Sequence, residues 1–369
     1  MPLPPQTPAS NLRAGRDYPP SYADLLAWFP DEAACLDYLE WLRWPNGFVC
    51  PRCDTPGRWR MSGGRFWCEQ CQRRVSVTAG TIFHRTRTPL MVWFAAAWYM
   101  TCAKNGVSAK TLHRFLGFGS YQTAWTMLHR FRTAMVRPGR DALTGKVEVN
   151  EIFVGGIRPG KRGRGAEGKT LVAVAVELLS PMGFGRCRLR VIPDTRAPTL
   201  RAFLLDFVTP GAVIVTDGFS AYPEAIGDHY LHEPHVVVRS SDPAHVSLPA
   251  VHRVASLLKR WLLGTHQGAV EPDHLQAYLD EFAFRFNRRK ADFRGLLFRR
   301  LLEQAVQVEP VSYRSLVMNP LTKITKPLPP VHHRTHPASF AECYVLPTFR
   351  LSRLKYPGVR QDPLGNIPC

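Results

Sequence analysis

Two cysteine pairs constrain this chain more than any other feature of its sequence. Cys50-Pro-Arg-Cys53 and Cys68-Glu-Gln-Cys71 are separated by fourteen residues. Each Cys-x-x-Cys turn supplies two thiolates, and a structural zinc ion takes four ligands in tetrahedral geometry. Four ordinary buried cysteines are the alternative, but their arginine, glutamate and glutamine neighbours make these segments polar. The spacing therefore predicts a zinc ribbon over residues 47–83, with a closed ligand set and hence a structural ion.

The net charge indicates the partner. The 369 residues carry a formal charge of +19, and the pI is near 9.9. A soluble protein with this imbalance usually meets a polyanion, most often nucleic acid. An anionic membrane surface is the alternative, although no apolar run approaches the ~20 residues needed to span a bilayer. The ribbon is itself suited to DNA phosphates. Its arginines are Arg52, Arg58, Arg60, Arg65, Arg73 and Arg74.

Cysteine use and the N-terminal residues indicate the compartment. Nine cysteines could form disulfides in a secreted protein, but four of them form the two pairs and the rest are scattered. The first residues lack the charged and then apolar pattern of a signal peptide. We therefore expect a cytoplasmic protein.

Composition and periodicity divide the chain into segments. We expect disorder over the proline-rich residues 1–20, short helices over 21–46 with Asp31 as a cap, the ribbon over 47–83, a helical DNA-binding segment over 84–140, a mixed α/β domain over 141–306, and a largely disordered proline-rich tail over 307–369. In the α/β domain, strand-like runs cover 146–155, 170–178, 186–193 and 212–216, and helical patterns cover 197–207, 250–263, 273–287 and 292–306. The fold class is therefore α/β with a mixed sheet.

The helical segment contains a candidate helix-turn-helix. Its sequences "VSAKTLHRFLG" and "SYQTAWTMLHRFRTAM" indicate two amphipathic helices around a glycine turn, with Ser108 and Ser120 as N-caps. The second helix carries His129, Arg130 and Arg132, which would suit it to DNA. Any helical hairpin has this form, so the assignment depends mainly on the overall charge.

Polar residues occupy positions in the α/β domain where metal ligands are found. The strand "KVEVNEIFVGG" carries Asn150 among alternating valines, and "GAVIVTDGFSAY" ends a buried strand at Asp217, followed by a glycine that lets a ligand approach. A solvated strand edge and a turn cap are the structural alternatives for these two residues. On the helix "VHRVASLLKRWLLGTH", His252 and Lys259 lie about two turns apart on one face, as many pairs on any helix do.

Together these motifs resemble bacterial insertion-sequence transposases of the ISXO type, which join an N-terminal zinc ribbon to a ribonuclease-H-like DDE domain. The likeness is carried by "YLEWLRWPNGFVCPRC", "VEVNEIFVGG", "TDGFSAY", "LKRWLLGTH" and "YLDEFAFRFNRR", in that order over about residues 18–306. The resemblance implies Mg²⁺-dependent DNA cleavage and strand transfer, with Asn150, Asp217 and His252 at the positions of the three metal ligands. Lys259 matches the basic residue that contacts the terminal phosphate region.

One of these positions departs from the family pattern. The family carries aspartate where this chain has Asn150, and an amide has the shape of that ligand without its charge. Glu148 shares the face of Asn150, Glu151 points to the opposite face, and Glu281 lies on a later helix. We therefore expect a transposase that is impaired or inactive in cleavage. A non-catalytic protein that occupies the element's ends is the second hypothesis, and the ordered ligand series disfavours an unrelated zinc-ribbon transcription regulator.

The resemblance also implies partners and surfaces. The expected ligand is double-stranded DNA at the inverted-repeat ends of the protein's own element. We expect the protein to bind this DNA as a homodimer and to be associated with the bacterial nucleoid while it is on DNA. The loop over 157–169 is expected to contact DNA through Arg158, Lys161, Arg162 and Arg164. Arg288 and Arg289 at a helix end are further candidates, although the helix dipole is a sufficient structural reason for cations there.

Overall fold

The computed structural model describes residues 12–57, 59–137, 139–155, 169–235, 248–268 and 270–318. Its helices are α1 Tyr22–Trp28, α2 Glu32–Arg43, α3 Leu90–Cys102, α4 Ala109–Leu116, α5 Tyr121–Ala134, α6 Ala197–Phe207, α7 Tyr222–Ile226, α8 Pro249–His266, α9 Leu275–Asn287, α10 Arg294–Ala305 and α11 Tyr313–Met318. Its strands are β1 Trp59–Met61, β2 Arg65–Cys68, β3 Arg73–Ser76, β4 Lys146–Val154, β5 Thr170–Leu178, β6 Phe184–Val191, β7 Val213–Thr216 and β8 Leu231–Pro234. Within these ranges no helix is both long and apolar enough to cross a bilayer.

The helix starts follow the capping residues in the sequence. Asp31, Ser108 and Ser120 each accept a hydrogen bond from the backbone N–H three residues later, so the three predicted N-caps are confirmed. Gly117 ends α4 in the left-handed conformation that its lack of a Cβ permits. The prediction missed β8, because its sequence Leu-His-Glu-Pro has no apolar alternation.

A mixed five-stranded sheet forms the centre of the α/β part, in the order β6-β5-β4-β7-β8. Strands β4, β5 and β6 pair antiparallel as a meander. Strand β7 pairs parallel with β4, and β8 pairs parallel with β7. The predicted fold class, a ribonuclease-H-like mixed sheet preceded by a zinc ribbon and a helical segment, is confirmed. Central β4 therefore has neighbours on both edges, one antiparallel and one parallel.

Helices cover both faces of this sheet. Alternate residues of β4 divide between two cores: Val147 and Val149 pack with α6 and α7, whereas Ile152 and Val154 pack with α8 and α9. Because side chains alternate along a strand, Glu148 and Asn150 point to the α8 side. That face carries the candidate site.

A second core joins the N-terminal helices to a helix from far along the chain. Phe298, Leu301 and Leu302 of α10 are buried against α2, α3 and α5, with Phe298 5.7 Å from the Phe94 ring. The sequence pattern assigns this helix to the α/β domain over 141–306, and this assignment is wrong for its core. The apolar face of α10 packs in the N-terminal core because the preceding helices alone leave that core open.

The segment before α1 is packed, in contrast to the disorder expected over 1–20. Tyr18 is buried, and the Tyr38 hydroxyl donates to the carbonyl of buried Asp17 at 2.8 Å. A Cβ on Gly295 would lie 1.9 Å from the carbonyl oxygen of Pro19, so only glycine fits there. Burial of the aromatic ring outweighs the proline-rich composition over 12–20, and residues 1–11 lie outside the described ranges.

The predicted disordered tail also begins with structure. The Val311 carbonyl accepts from Arg130 Nε at 2.9 Å, and Leu316 in α11 is buried. These contacts hold the segment up to residue 318 on α5. The expectation for 319–369 concerns residues that the structure does not describe.

Two of the basic residues expected to suit α5 to DNA face the core instead. Arg132 and His129 are both 1% exposed. The Arg132 guanidinium bonds Glu281 Oε2 at 2.9 Å and lies 4.0 Å from the centre of the Tyr278 ring. This side of α5 is therefore its contact with α9, and His129 and Arg132 are not available to DNA.

The carboxylate of Glu281 links the helical segment to the α/β part. It is fully buried and lies 3.7 Å from Arg285 as well as within bonding distance of Arg132. Arg285 in turn donates to the carbonyls of Met100, Ala103 and Lys104 at the end of α3. One carboxylate therefore balances two guanidinium groups that hold α3 and α5 against α9.

We predict that Glu281→Gln lowers the free energy of unfolding by about 3–5 kcal/mol, because it leaves buried cations without a counter-charge. Glu233→Gln is the matched control, since Glu233 pairs with Lys146 at 2.8 Å with both side chains more than 40% exposed, and its loss should be under about 1 kcal/mol. Urea titrations of both variants measure the difference. Equal losses would show that the buried network contributes no more than a surface pair.

Histidines beside this network give the fold a pH dependence. Neither ring nitrogen of His129 has a hydrogen-bond partner in the described part of the chain. Burial, with Arg132, His274 and His266 nearby, lowers the pKa of His129 far below its ordinary value. Burial lowers the pKa of His266 to about 3. Because both histidines have lower pKa values in the folded than in the unfolded protein, keeping them neutral contributes to the stability of the fold. That contribution is fully present above the unfolded pKa of about 6.5 and is lost as the pH falls below it.

We predict that His129→Phe reduces the pH dependence of stability. Between pH 7 and 5.5 the wild-type free energy of unfolding should fall by about 1 kcal/mol more than that of the variant. The reason is that the variant takes up one fewer proton when it unfolds. Urea titrations at the two pH values measure this, with the exposed His229→Phe as the control. The same pH dependence in wild type and His129→Phe would contradict the assignment.

Candidate functional site

The four cysteines of the ribbon converge on one point. Their Sγ atoms all lie within 4.8 Å of one another, with Cys50 3.7 Å from Cys71 and Cys53 3.6 Å from Cys68. Tetrahedral zinc with Zn–S bonds of about 2.3 Å requires Sγ–Sγ separations of roughly 3.8 Å. The thiolate set therefore fits a structural zinc ion.

Aromatic packing and one arginine fix the ribbon on the helices. Phe48 and Phe66 stack at 4.9 Å, and Arg43 of α2 donates to the Val77 carbonyl at 2.6 Å. Among the predicted DNA-binding arginines of the ribbon, Arg60 is paired with Asp37 and Glu40. The others with described side chains are exposed: Arg52, Arg65, Arg73 and Arg74. Arg58 lies outside the described residues.

Parallel pairing of β4 with β7 brings two of the predicted ligands together. Lys146 pairs with Val213 and Glu148 with Val215, and the same register continued by two residues places Asp217 beside Asn150. Both then project from the face that α8 covers. The sequence motifs at 150 and 217, separated by 66 residues, belong to one edge of the sheet.

Local hydrogen bonds hold both side chains. The Asn150 Oδ1 atom accepts from the backbone N–H of Glu151 at 2.8 Å. The Asp217 Oδ1 atom accepts from the backbone N–H of Phe219 at 3.0 Å, and Gly218 between them has φ +78°. Asp217 therefore caps a turn, as the structural alternative proposed, and still presents its carboxylate at the strand end.

Glu148 fixes the helix that carries the third predicted ligand. Its carboxylate is 2% exposed and accepts from the backbone N–H of Val251 at 2.9 Å, one residue before His252. Burial raises the pKa of Glu148, while the N–H groups of Val251 and Ala250 oppose the shift. The strand of Asn150 thus holds the first turn of α8, the helix that carries His252.

The acidic residues considered as substitutes for the missing charge are engaged elsewhere or face away. Glu148 is bound to the start of α8, Glu151 lies on the opposite face of β4, and Glu281 is bound to Arg132. In the described ranges, the cysteine cluster is the only group of three or more His, Cys, Asp or Glu side chains whose ligand atoms converge. At the sheet edge, Asp217 supplies the one carboxylate among Asn150, Asp217 and His252.

Lys259 continues the same helix face. It lies seven residues after His252 on α8 and is exposed. The partly buried surroundings of its ammonium and the neighbouring Lys169 lower the pKa of Lys259. Lys169 and Lys259 are therefore neighbours, and two neighbouring cations would attract a polyanion. The sequence places Lys169 in the basic loop over 157–169, and only the fold brings it near α8.

The other predicted DNA contacts divide into two groups. Arg158, Lys161, Arg162 and Arg164 lie outside the described residues. Arg289 donates to the carbonyls of Gly185, Phe184 and Phe286, and Arg288 donates to the Phe284 carbonyl and lies over its ring at 3.9 Å. These contacts explain both arginines structurally, and their contact with DNA stays a prediction.

We predict that Cys50→Ser reduces the zinc content well below one ion per chain and removes the cooperative unfolding of the N-terminal helices, because binding and folding of such ribbons are coupled. Metal analysis of purified protein and thermal melts with and without a strong chelator measure this. Cys102→Ser is the control, since Cys102 lies outside the cluster. Full zinc occupancy in Cys50→Ser would contradict the ligand assignment.

Comparisons with known proteins agree with this architecture. A transposase zinc-ribbon domain family matches residues 30–74, and an ISXO2-like transposase domain family matches residues 142–287. A protein of Halobacterium salinarum, described as an uncharacterized protein in the transposable element ISH50, is 30% identical over 281 residues, which cover 70% of this chain and 91% of that protein. The ribbon therefore holds structural zinc, and the sheet is the transposase domain. The chain belongs to the insertion-sequence transposases that combine a zinc ribbon with an ISXO2-like transposase domain.

Proposed function

We propose that this transposase binds the inverted-repeat ends of its own element and that its ancestral reaction is Mg²⁺-dependent DNA cleavage and strand transfer at Asn150, Asp217 and His252. Lys259 would contact the terminal phosphate region of the DNA. The observation that supports this most strongly is the β4–β7 register, which, if continued two residues past the Glu148–Val215 pair, would set Asn150 beside Asp217. We further propose that cleavage by the unaltered chain is weak.

The weakness follows from charge. Two-metal phosphodiester chemistry uses two divalent cations a few ångströms apart, and Mg²⁺ prefers carboxylate and other oxygen ligands. Here the available set is one amide, one carboxylate and one imidazole, and the nearby Glu148 is bound to Val251. These three side chains together carry one negative charge, which is too little to hold two divalent cations close together. They can therefore hold at most one weakly bound ion.

DNA binding does not depend on that charge. The chain has a net charge of +19, and lysine and arginine contacts to phosphates release condensed counter-ions, so affinity should fall steeply with salt. Because an element has two ends, we propose a homodimer on DNA, as the resemblance implied. A protein that occupies the ends without cutting them is the second candidate function, and the uncharged Asn150 is the observation that favours it.

We predict that Asn150→Asp raises cleavage of an element-end duplex by a factor on the order of 100 in Mg²⁺ or Mn²⁺, since ion occupancy and stabilisation of transition-state charge depend on this position. The change keeps the side-chain volume, so β4 should accept it without repacking. Gel assays of labelled duplexes give the rate. Asn46→Asp, the same chemical change in the exposed turn after α2, is the matched control and should leave cleavage unchanged.

The double variant Asn150→Asp with Asp217→Ala should lose the gain, because both residues would serve the same ions. Strong cleavage by the unaltered chain, unchanged by Asn150→Asp, would show that other carboxylates complete the site. Absence of any gain, with end binding intact, would instead favour the non-catalytic function.

A further inference from the structure

A cleft lies between the exposed side of α5 and the segment that joins the zinc ribbon to α3. Its volume is about 340 Å³, at the low end of the ~300–1,000 Å³ found for ligand pockets. The residues that line it are Arg85, Thr86, Arg87, Thr88, Trp93, Gln122, Thr123, Thr126, Met127, Arg130 and Tyr313. None of the predicted DNA contacts except Arg130 is among them.

The chemistry of this lining selects an anion. Three arginines, four threonines and one glutamine line the cleft, and none of the described residues that line it carries a carboxylate. The Thr86 and Thr126 hydroxyls donate to the Thr88 and Gln122 carbonyls, so the arginines are the main available donors. Arg85 and Arg87 are exposed at its rim. Guanidinium and hydroxyl donors are the groups that most often bond DNA phosphate oxygens. A phosphate would therefore find donors here without a competing negative charge.

The cleft is built before a ligand arrives. Thr86 Oγ1 accepts from the Trp93 indole at 2.9 Å and from the Thr88 backbone N–H at 3.1 Å, which fixes the rim segment. Arg85 is held with φ +52°, in the left-handed region. At the base, Arg130 Nε donates to the Val311 carbonyl at 2.9 Å. Binding there would need little reordering of the protein.

The start of α5 presents exposed side chains that suit a nucleic acid. Tyr121 is 53% exposed, and Gln122 is exposed next to it, both in the first turn of the second helix of the helical hairpin. In helix-turn-helix proteins the N-terminal residues of the second helix reach the base edges. Glutamine can bond adenine in the major groove with two hydrogen bonds.

We propose that this cleft receives a backbone phosphate of the element-end DNA, held by Arg85 and Arg87, and that Gln122 at its rim reads a base edge. The second helix would then face DNA with its first turns, while its later His129 and Arg132 face α9. The proposal rests on the DNA-binding function of the transposase and is independent of its cleavage activity.

The test compares duplex binding by the zinc-loaded full-length chain and its variants over a range of salt concentrations. One labelled duplex carries the element's terminal inverted repeat, and a second of equal length has unrelated sequence. Arg85→Gln with Arg87→Gln should weaken binding to both duplexes equally and reduce the slope of log affinity against log salt by about 0.9, the value for one lost phosphate contact. Gln122→Ala should leave that slope unchanged and lower the preference for the element end at least several-fold.

Arg201→Gln is the matched control, because Arg201 lies on α6, on the sheet face opposite Asn150, and should change neither quantity. Zinc content and thermal melts verify that each variant is folded. A wild-type salt slope in the double arginine variant would overturn the phosphate site. If inorganic phosphate bound wild type but not this variant while duplex binding was equal, the cleft would be a small-anion site and the proposal would be wrong. An unchanged end preference in Gln122→Ala would overturn the base contact.

Discussion

The parallel pairing of β4 with β7 is the constraint on which the site depends. It sets the register that carries Asn150 and Asp217 to the same edge of the sheet and the same face. A shift by one residue would send Asn150 to the α6 side. Glu148, on that face as well, bonds the first turn of α8, the helix that carries His252. One strand therefore positions two other elements, one by backbone pairing and one by a buried carboxylate.

A second constraint fixes the helical segment against this domain. Buried Glu281 balances Arg132 and Arg285, and Arg285 bonds carbonyls at the end of α3. In a chain with a charge of +19, several arginines are thus structural and unavailable to DNA. Exposed cations in the described ranges include those on the ribbon, on the rim of the α5 cleft and on α8. DNA that reaches both the helical segment and the catalytic sheet would meet a rigidly joined surface.

The motifs with local physical causes could be predicted from the sequence. The cysteine spacing, the serine and aspartate caps and the alternation in β4 each depend on neighbours in the chain, and each was found. What depended on distant contacts was missed: the burial of His129 and Arg132, and the packing of α10 with the N-terminal helices. A basic residue on an amphipathic helix looks the same whether it meets DNA or a buried glutamate. The proposed site ligands come from the family resemblance, whereas the engagement of Glu148 and Glu281 required the fold.

We propose that the fold assembles a metal site from Asn150, Asp217 and His252 and that Asn150 leaves this site short of one negative charge. The most direct test counts Mn²⁺ ions bound to zinc-loaded protein, by calorimetry and electron paramagnetic resonance, in wild type and Asn150→Asp. We predict at most one weakly bound ion in wild type and two in the variant, with the second ion lost again on adding Asp217→Ala. Two ions bound by wild type as tightly as by Asn150→Asp would contradict the account.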